Sequence, residues 1–183
     1  MTPWRKLAQR TRVPVGTVLG IIFLALLLRR PPSLPSLLIG GSIALGGALL
    51  RLWAAGHIDK GRVLTQGGPY ALTRNPLYLG SFIMALGIII AGQGYWLLPA
   101  FGVFFAVFYY PVIRAEEQEL LQTHGDRFLE YSKQVPLFFP RYRKAGRNTS
   151  TFLWSRVIRN REHHTMTGLA LAVTLLIILK LIR

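Results

Sequence analysis

The sequence predicts an all-α, multi-pass membrane protein with about five transmembrane helices. Three observations carry this. Apolar residues make up 51% of the 183 residues and gather into five runs, 13–28, 34–55, 77–92, 94–113 and 168–182. The net charge is +15 while the mean hydropathy is +0.37, so the charges belong in loops and not over a soluble surface. The cations also segregate by side. With the N-terminus inside and five crossings, 18 Lys and Arg fall on the inner side and 4 on the outer. A nucleic-acid binder is excluded, because its basic face would sit on a polar domain. The apolar content excludes disorder over most of the chain. With no Cys, disulfides, thiolate metal sites and Cys nucleophiles are excluded.

A spanning helix needs about 20 apolar residues. The second and fourth runs reach that length alone, while the first, third and fifth need flanking residues. The first run has the basic start of a signal peptide in Arg5, Lys6, Arg10 and Arg12. Arg29-Arg30-Pro31-Pro32 follows it in place of a small-residue cleavage site, so it reads as a retained helix. In the second run Arg51 is the one charge, about a turn from the end, where it can snorkel to headgroups. Ser42, Gly46, Gly47 and Ala48 there, and Gly80, Ser81, Ala85 and Gly87 in the third run, predict close helix packing. The short link at 93–94 predicts a tight antiparallel hairpin of the third and fourth runs. Trp4, Trp53, Trp96 and Trp154 fall near the predicted interfaces. The chain reads as one integral-membrane domain over 1–183, with an N-terminal hairpin (1–55), a central region (56–143), and an interfacial segment with a C-terminal helix (144–183). N-terminus and central region are expected on the cytoplasmic side, the C-terminus on the other.

The polar stretches 56–76 and 114–165 both fall on the inner side, so the chemistry belongs there. They hold no zinc-protease, phosphate-loop, hydrolase or dinucleotide motif. His163-His164 reads as a solvated pair, not a metal site, and His57 and His124 are lone. The sequon Asn148-Thr149-Ser150 sits on the inner side and reads as unmodified. In Gly67-Gly68-Pro69-Tyr70-Ala71-Leu72-Thr73-Arg74-Asn75-Pro76-Leu77-Tyr78 the first three residues predict a turn. Pro76 suits a first helical turn and Asn75 an N-cap. Arg74 then stands at a helix mouth, where an anion can bind or the guanidinium can anchor to lipid phosphate. Glu116, Glu117 and Glu119 are three of the chain's seven acids, placed where the fourth run leaves the membrane. Either they form a solvated helix face or they hold a cation. Further on, Gly125 reads as a helix stop, Asp126 as the next N-cap and Pro136 as a terminator. Phe128, Leu129 and Tyr131 read as packing residues. Leu137–Arg141 is expected to dip toward the bilayer. In 152–161, Phe152, Leu153, Trp154, Val157 and Ile158 form the apolar set of a basic interfacial segment.

The ordered set Gly-Pro-Tyr-x-x-x-Arg-Asn-Pro-x-Tyr-x-Gly, then Glu-Glu-x-x-Leu, then Gly-x-x-Phe-x-x-Tyr-x-x-x-Val-Pro resembles the isoprenylcysteine carboxyl methyltransferase and phospholipid methyltransferase superfamily. It covers about 67–140. The resemblance implies an integral-membrane methyltransferase that binds S-adenosylmethionine at the inner face and releases S-adenosylhomocysteine. Carried over, Arg74, Asn75, Pro76, Tyr78, Glu116 and Glu117 contribute to the cofactor pocket. Tyr70 and Tyr131 match further motif tyrosines, and Arg74, Tyr78 and Glu117 stand as the catalytic set. No metal is implied. Asn75 replaces the His usual in the prenylcysteine branch and looks like the phospholipid branch. Asn bonds both ways but does not titrate as His does. The implied acceptor is lipophilic and enters from the bilayer, as an isoprenylcysteine-like carboxylate or a phospholipid amine; membrane lipids are the other partner. The sequence leaves the acceptor and the oligomeric state open. Two other readings are an NADPH-dependent sterol-type reductase and a non-catalytic adaptor on anionic lipid.

Overall fold

Ser33 opens the first long helix. Its hydroxyl accepts from Ser36 N at 3.2 Å, and Pro35 fits the first turn. The computed structural model describes residues 18, 20–22, 25–27, 31–59, 63–141 and 150–182. The basic N-terminal arm, Arg29-Arg30 and Asn148-Thr149 of the sequon lie outside the described residues, as does most of run 13–28. The described residues of that run are helical, and Leu27 packs on Ile89 and Leu97. Helix α1 is Leu34–His57. A 3-10 turn, Gly68–Ala71, leads into α2, Pro76–Ala91. Then come α3, Tyr95–His124, α4, Asp126–Gln134, α5, Trp154–Arg159, and α6, Glu162–Ile182. There is no strand among the described residues.

Three helices, α1, α3 and α6, are long and apolar enough to cross a membrane. Helix α2 has 16 residues. At 1.5 Å per residue that is about 24 Å, short of a core of about 30 Å. The described residues thus hold three candidate spans and one shorter apolar helix, where the sequence predicts five spans in the whole chain.

Glycines bring the backbones of α1 and α2 together. A methyl group built on Gly47 stands 2.6 Å from Met84 N, and one on Gly80 stands 2.7 Å from Gly47 O. One on Gly87 stands 2.6 Å from Gly40 O. The expected small-residue packing is therefore present, with Gly40 and Ala44 added to it, whereas Gly46 faces open space. The short link joins α2 to α3, but α2 packs most closely on α1. Against α3 it presents Phe82, 5.2 Å from the Phe101 ring and 4.9 Å from Phe105, and rings hold helices further apart.

Helix α3 widens to a π turn over Phe105–Tyr109, just before Pro111. Proline has no N–H and its ring crowds the carbonyl four residues back, so an extra residue in the turn relieves both. Gly125, at φ +53°, ends α3 and also occupies the N-cap of α4. Asp126 is therefore the first helical residue and not the cap expected for it. Within α4, Phe128 and Tyr131 share the buried face with Val135 beyond its end, while Leu129 turns out to solvent or lipid. The expected inward set loses Leu129 because it lies off the i, i+3 face.

The segment before α6 caps α1. Leu153 N donates to Gly56 O at 2.9 Å, Asn160 to Ala55 O at 2.9 Å and Arg156 to His57 O at 3.3 Å. These are carbonyls a helix end leaves without partners. The apolar set expected of one interfacial face is split. Phe152 lies on Gly56 and His57 and Val157 is buried, while Leu153, Trp154 and Ile158 face outward. Arg156 and Arg159 turn to Asp59, at 3.6 and 2.6 Å.

Candidate functional site

Helices α1 and α3 end, and α2 and α6 begin, around one cavity of about 760 Å³. All eight residues singled out in the sequence line it: Tyr70, Arg74, Asn75, Pro76, Tyr78, Glu116, Glu117 and Tyr131.

The 3-10 turn starts at Gly68, at φ +59°, a conformation open to glycine. The turn buries Tyr70, whose carbonyl accepts from Tyr131 Oη at 2.7 Å. The Tyr70 hydroxyl is buried with no hydrogen-bond partner. Burial first, then the neighbouring Tyr131 and Glu116, pushes the Tyr70 phenol far above its ordinary value. Burial likewise raises Tyr131, against the pull of Arg74. Both phenols are therefore neutral near pH 7, and Tyr70 can donate but cannot act as a phenolate base.

The loop that carries Arg74 is stitched to the chain after α4. Arg74 N donates to Pro136 O at 2.9 Å, and Arg141 N to Leu72 O at 3.0 Å. Thr73 Oγ1 and Asn75 Nδ2 both donate to Leu137 O, at 3.3 and 3.0 Å. Asn75 stands at the N-cap position of α2, but its side chain does not cap the helix as expected; Leu137 O takes the amide. Phe138 completes the strap by packing on Phe82 and Phe105, while Phe139 is exposed.

Arg74 Nε lies 3.1 Å from Glu117 Oε1, and Arg114 Nη1 lies 2.6 Å from Glu117 Oε2. The Arg74 contact is close but poorly aligned, so Nε and Oε1 attract as charges while neither makes a hydrogen bond. On the sequence alone Arg74 reads as an anion site or lipid anchor, and the glutamates as a solvated face or a cation site. The structure brings Arg74 and Glu117 into contact. Tyr78 Oη donates to Glu116 at 2.7 Å. Glu119, exposed, also lines the cavity.

Arg51 does not snorkel. It binds Glu162 through both carboxylate oxygens, at 3.1 and 2.6 Å, and also donates to Leu77 O and Ser81. A guanidinium this enclosed needs such a set of acceptors. Glu162, in the first turn of α6, suits the positive end of that helix. Arg51, Glu162, Tyr109 and Asp59 are lining residues that the sequence did not single out as a site. For Arg51 the available signal was a lone charge within an apolar run; for Glu162 it was an acid opening the last helix. His163 and His164 are exposed, and no cluster of three or more metal-ligating side chains occurs among the described residues.

Fold and site together define a helical membrane protein with an acid-rich polar cavity at one end of its bundle. Residues 51–127, which carry Arg51, the Arg74 loop and the glutamates, match the phospholipid methyltransferase family. The expected resemblance to the isoprenylcysteine carboxyl methyltransferase and phospholipid methyltransferase superfamily is thus met over this stretch, by the family match and by an isoprenylcysteine methyltransferase relative. It is 35% identical to the cobalt-zinc-cadmium resistance protein CzcN of Cupriavidus metallidurans over 67% of this chain and 56% of that one. It is also 35% identical to the nickel-cobalt-cadmium resistance protein NccN of Alcaligenes xylosoxydans xylosoxydans, over 56% of this chain and 48% of that one. To the protein-S-isoprenylcysteine O-methyltransferase of Schizosaccharomyces pombe it is 33% identical, over 45% of this chain and 35% of that one. The matched stretch spans about half or less of each of these relatives. No solved structure matches the chain significantly.

Proposed function

We propose that the chain transfers a methyl group from S-adenosylmethionine to a lipophilic acceptor that reaches the cavity from the bilayer. The observation that carries this reading is a set of three buried polar atoms without hydrogen bonds, Tyr70 Oη, Arg74 Nε and Glu117 Oε1. All three belong to motif residues that line one cavity. Arg74 Nε and Glu117 Oε1 meet each other as an ion pair at 3.1 Å, so the Tyr70 hydroxyl is the buried group whose need a ligand would meet. Tyr70 and Arg74 suit the cofactor's carboxylate, and Glu116 and Glu117 its ammonium. The cavity volume of about 760 Å³ suits a ligand of this size. Its lining holds Asp59, Glu116, Glu117, Glu119 and Glu162 against Arg51 and Arg74. Arginines meet Asp59, Glu117 and Glu162 there, while Glu116 and Glu119 offer carboxylates to a cationic group. This lining disfavours the NADPH reading, whose phosphates would meet carboxylates.

When bound, S-adenosylmethionine supplies an electrophilic methyl carbon: the acceptor's lone pair bonds to it while the C–S bond breaks and its electrons stay on sulfur. The chain's own part is alignment and exclusion of water. Arg74, Tyr78 and Glu117 form the proposed catalytic set, held in place by the strap, Glu116 and Arg114. An isoprenylcysteine-like carboxylate arrives ionised and needs no base. A phospholipid amine must first lose a proton, which a cavity carboxylate can take. The neutral tyrosines cannot.

Isothermal titration of the purified chain tests the reading. S-adenosylhomocysteine is expected to bind and NADPH to give no heat. Binding of NADPH alone would return the chain to the reductase class.

A further inference from the structure

The π turn in α3 has a consequence at the cavity wall. It carries Tyr109, which lines the cavity together with Tyr78. The two rings stand nearly perpendicular, at 79°, with centroids 5.8 Å apart. Phe105 stacks on Tyr109 at 4.6 Å and 4°, fixing the ring's plane. Tyr78 is fixed by its 2.7 Å hydrogen bond to the Glu116 carboxylate. That bond also leaves the Tyr78 ring richer in electrons. Two held aromatic rings and a carboxylate therefore meet at one wall of an acidic cavity.

Aromatic faces attract cations through the ring quadrupole, and most strongly those onium groups that shed water easily. The geometry points to Tyr78, Tyr109 and Glu116 as a subsite for an onium group, with Tyr109 as a specificity-determining residue outside the methyltransferase motifs. This rests on the methyl-transfer reading above. Two sources share the chemistry: the sulfonium of S-adenosylmethionine and the methylated ammonium of a phospholipid acceptor. A subsite for the sulfonium prefers S-adenosylmethionine to the neutral thioether product and so helps the product leave.

The test compares affinities for S-adenosylmethionine and S-adenosylhomocysteine, by titration of the full chain and of Tyr109→Leu. If the subsite holds the sulfonium, Tyr109→Leu weakens S-adenosylmethionine roughly three- to thirtyfold and leaves S-adenosylhomocysteine unchanged. If it holds the acceptor, both cofactor affinities stay. Retention on vesicles or micelles containing phosphatidyl-N,N-dimethylethanolamine then falls relative to phosphatidylglycerol. No change in any of these, or equal loss of all three ligands, overturns the proposal. A series of progressively fluorinated phenylalanines at position 109 keeps the ring's shape and guards against misfolding of the Leu variant. The affinity for the onium ligand must fall with each fluorine, and a flat series also overturns it. Failure of the wild-type chain to bind S-adenosylhomocysteine at all would instead remove the methyl-transfer reading itself.

Discussion

Arg74 is held by its backbone to Pro136 and by its guanidinium to Glu117, so its fork has a fixed aim. Lysine offers a point charge in place of that fork. Arg74→Lys is expected to lose most methyl transfer while the chain still inserts and folds; full activity in that variant would return Arg74 to a lipid anchor. Tyr70 gives a prediction of opposite signs. Its buried hydroxyl lacks a partner, and such an orphan costs about 1–3 kcal/mol. Tyr70→Phe should therefore raise the melting temperature and weaken S-adenosylhomocysteine binding several-fold. A drop in both would show that the hydroxyl serves the fold and not a ligand. Alkaline pH bears on the same residues. Tyr70 and Tyr131 have folded values raised above the ordinary 10.0, so their contribution is intact below that pH. It is lost as pH rises above it, because the unfolded phenols ionise first. The melting temperature should hold until pH approaches 10.0 and fall beyond.

Between elements, the glycine seam of α1 and α2 decides how closely Arg51 and Arg74 approach the same cavity. Gly47→Ala places a methyl 2.6 Å from Met84 N, where backbone must move. The expected cost is about 1–3 kcal/mol. Gly46→Ala meets nothing within 4 Å and should leave thermal stability in detergent unchanged or slightly raised. Equal losses at both positions would mean that helix propensity and not close approach governs the pair. The small-residue pattern was legible in both runs, but not which glycine faces the partner, since that depends on how each helix is rotated. Asn75 teaches the same lesson at a helix end. Its type and place fit a cap, yet Leu137 O, 62 positions away, takes its amide.

For the whole molecule, the cavity gathers the ends of four helices at one side of the bundle. The charge count predicts that side to be cytoplasmic. Gln122 lies at the cavity end and Gln93 in the opposite link, and both are exposed. The chain has no Cys, so single cysteines at these positions can be labelled cleanly. Gln93→Cys should react with an impermeant thiol reagent in intact cells and Gln122→Cys only after permeabilisation; the reverse pattern would invert the topology.

The helical class, the membrane setting and the eight motif residues were readable along the chain. Hydropathy, charge and motif spacing are local quantities, and they survive folding unchanged. Three features depended on segments far apart in sequence, and a fourth on a local break in helix periodicity. Arg51 meets Glu162 across 111 positions, and the Arg74 loop is tied to the strap after α4. Glu117 lies against Arg74, and Tyr109 reaches the cavity through a π turn. A buried charge takes whichever partner the packing brings within reach, and no periodicity in the sequence records that partner in advance.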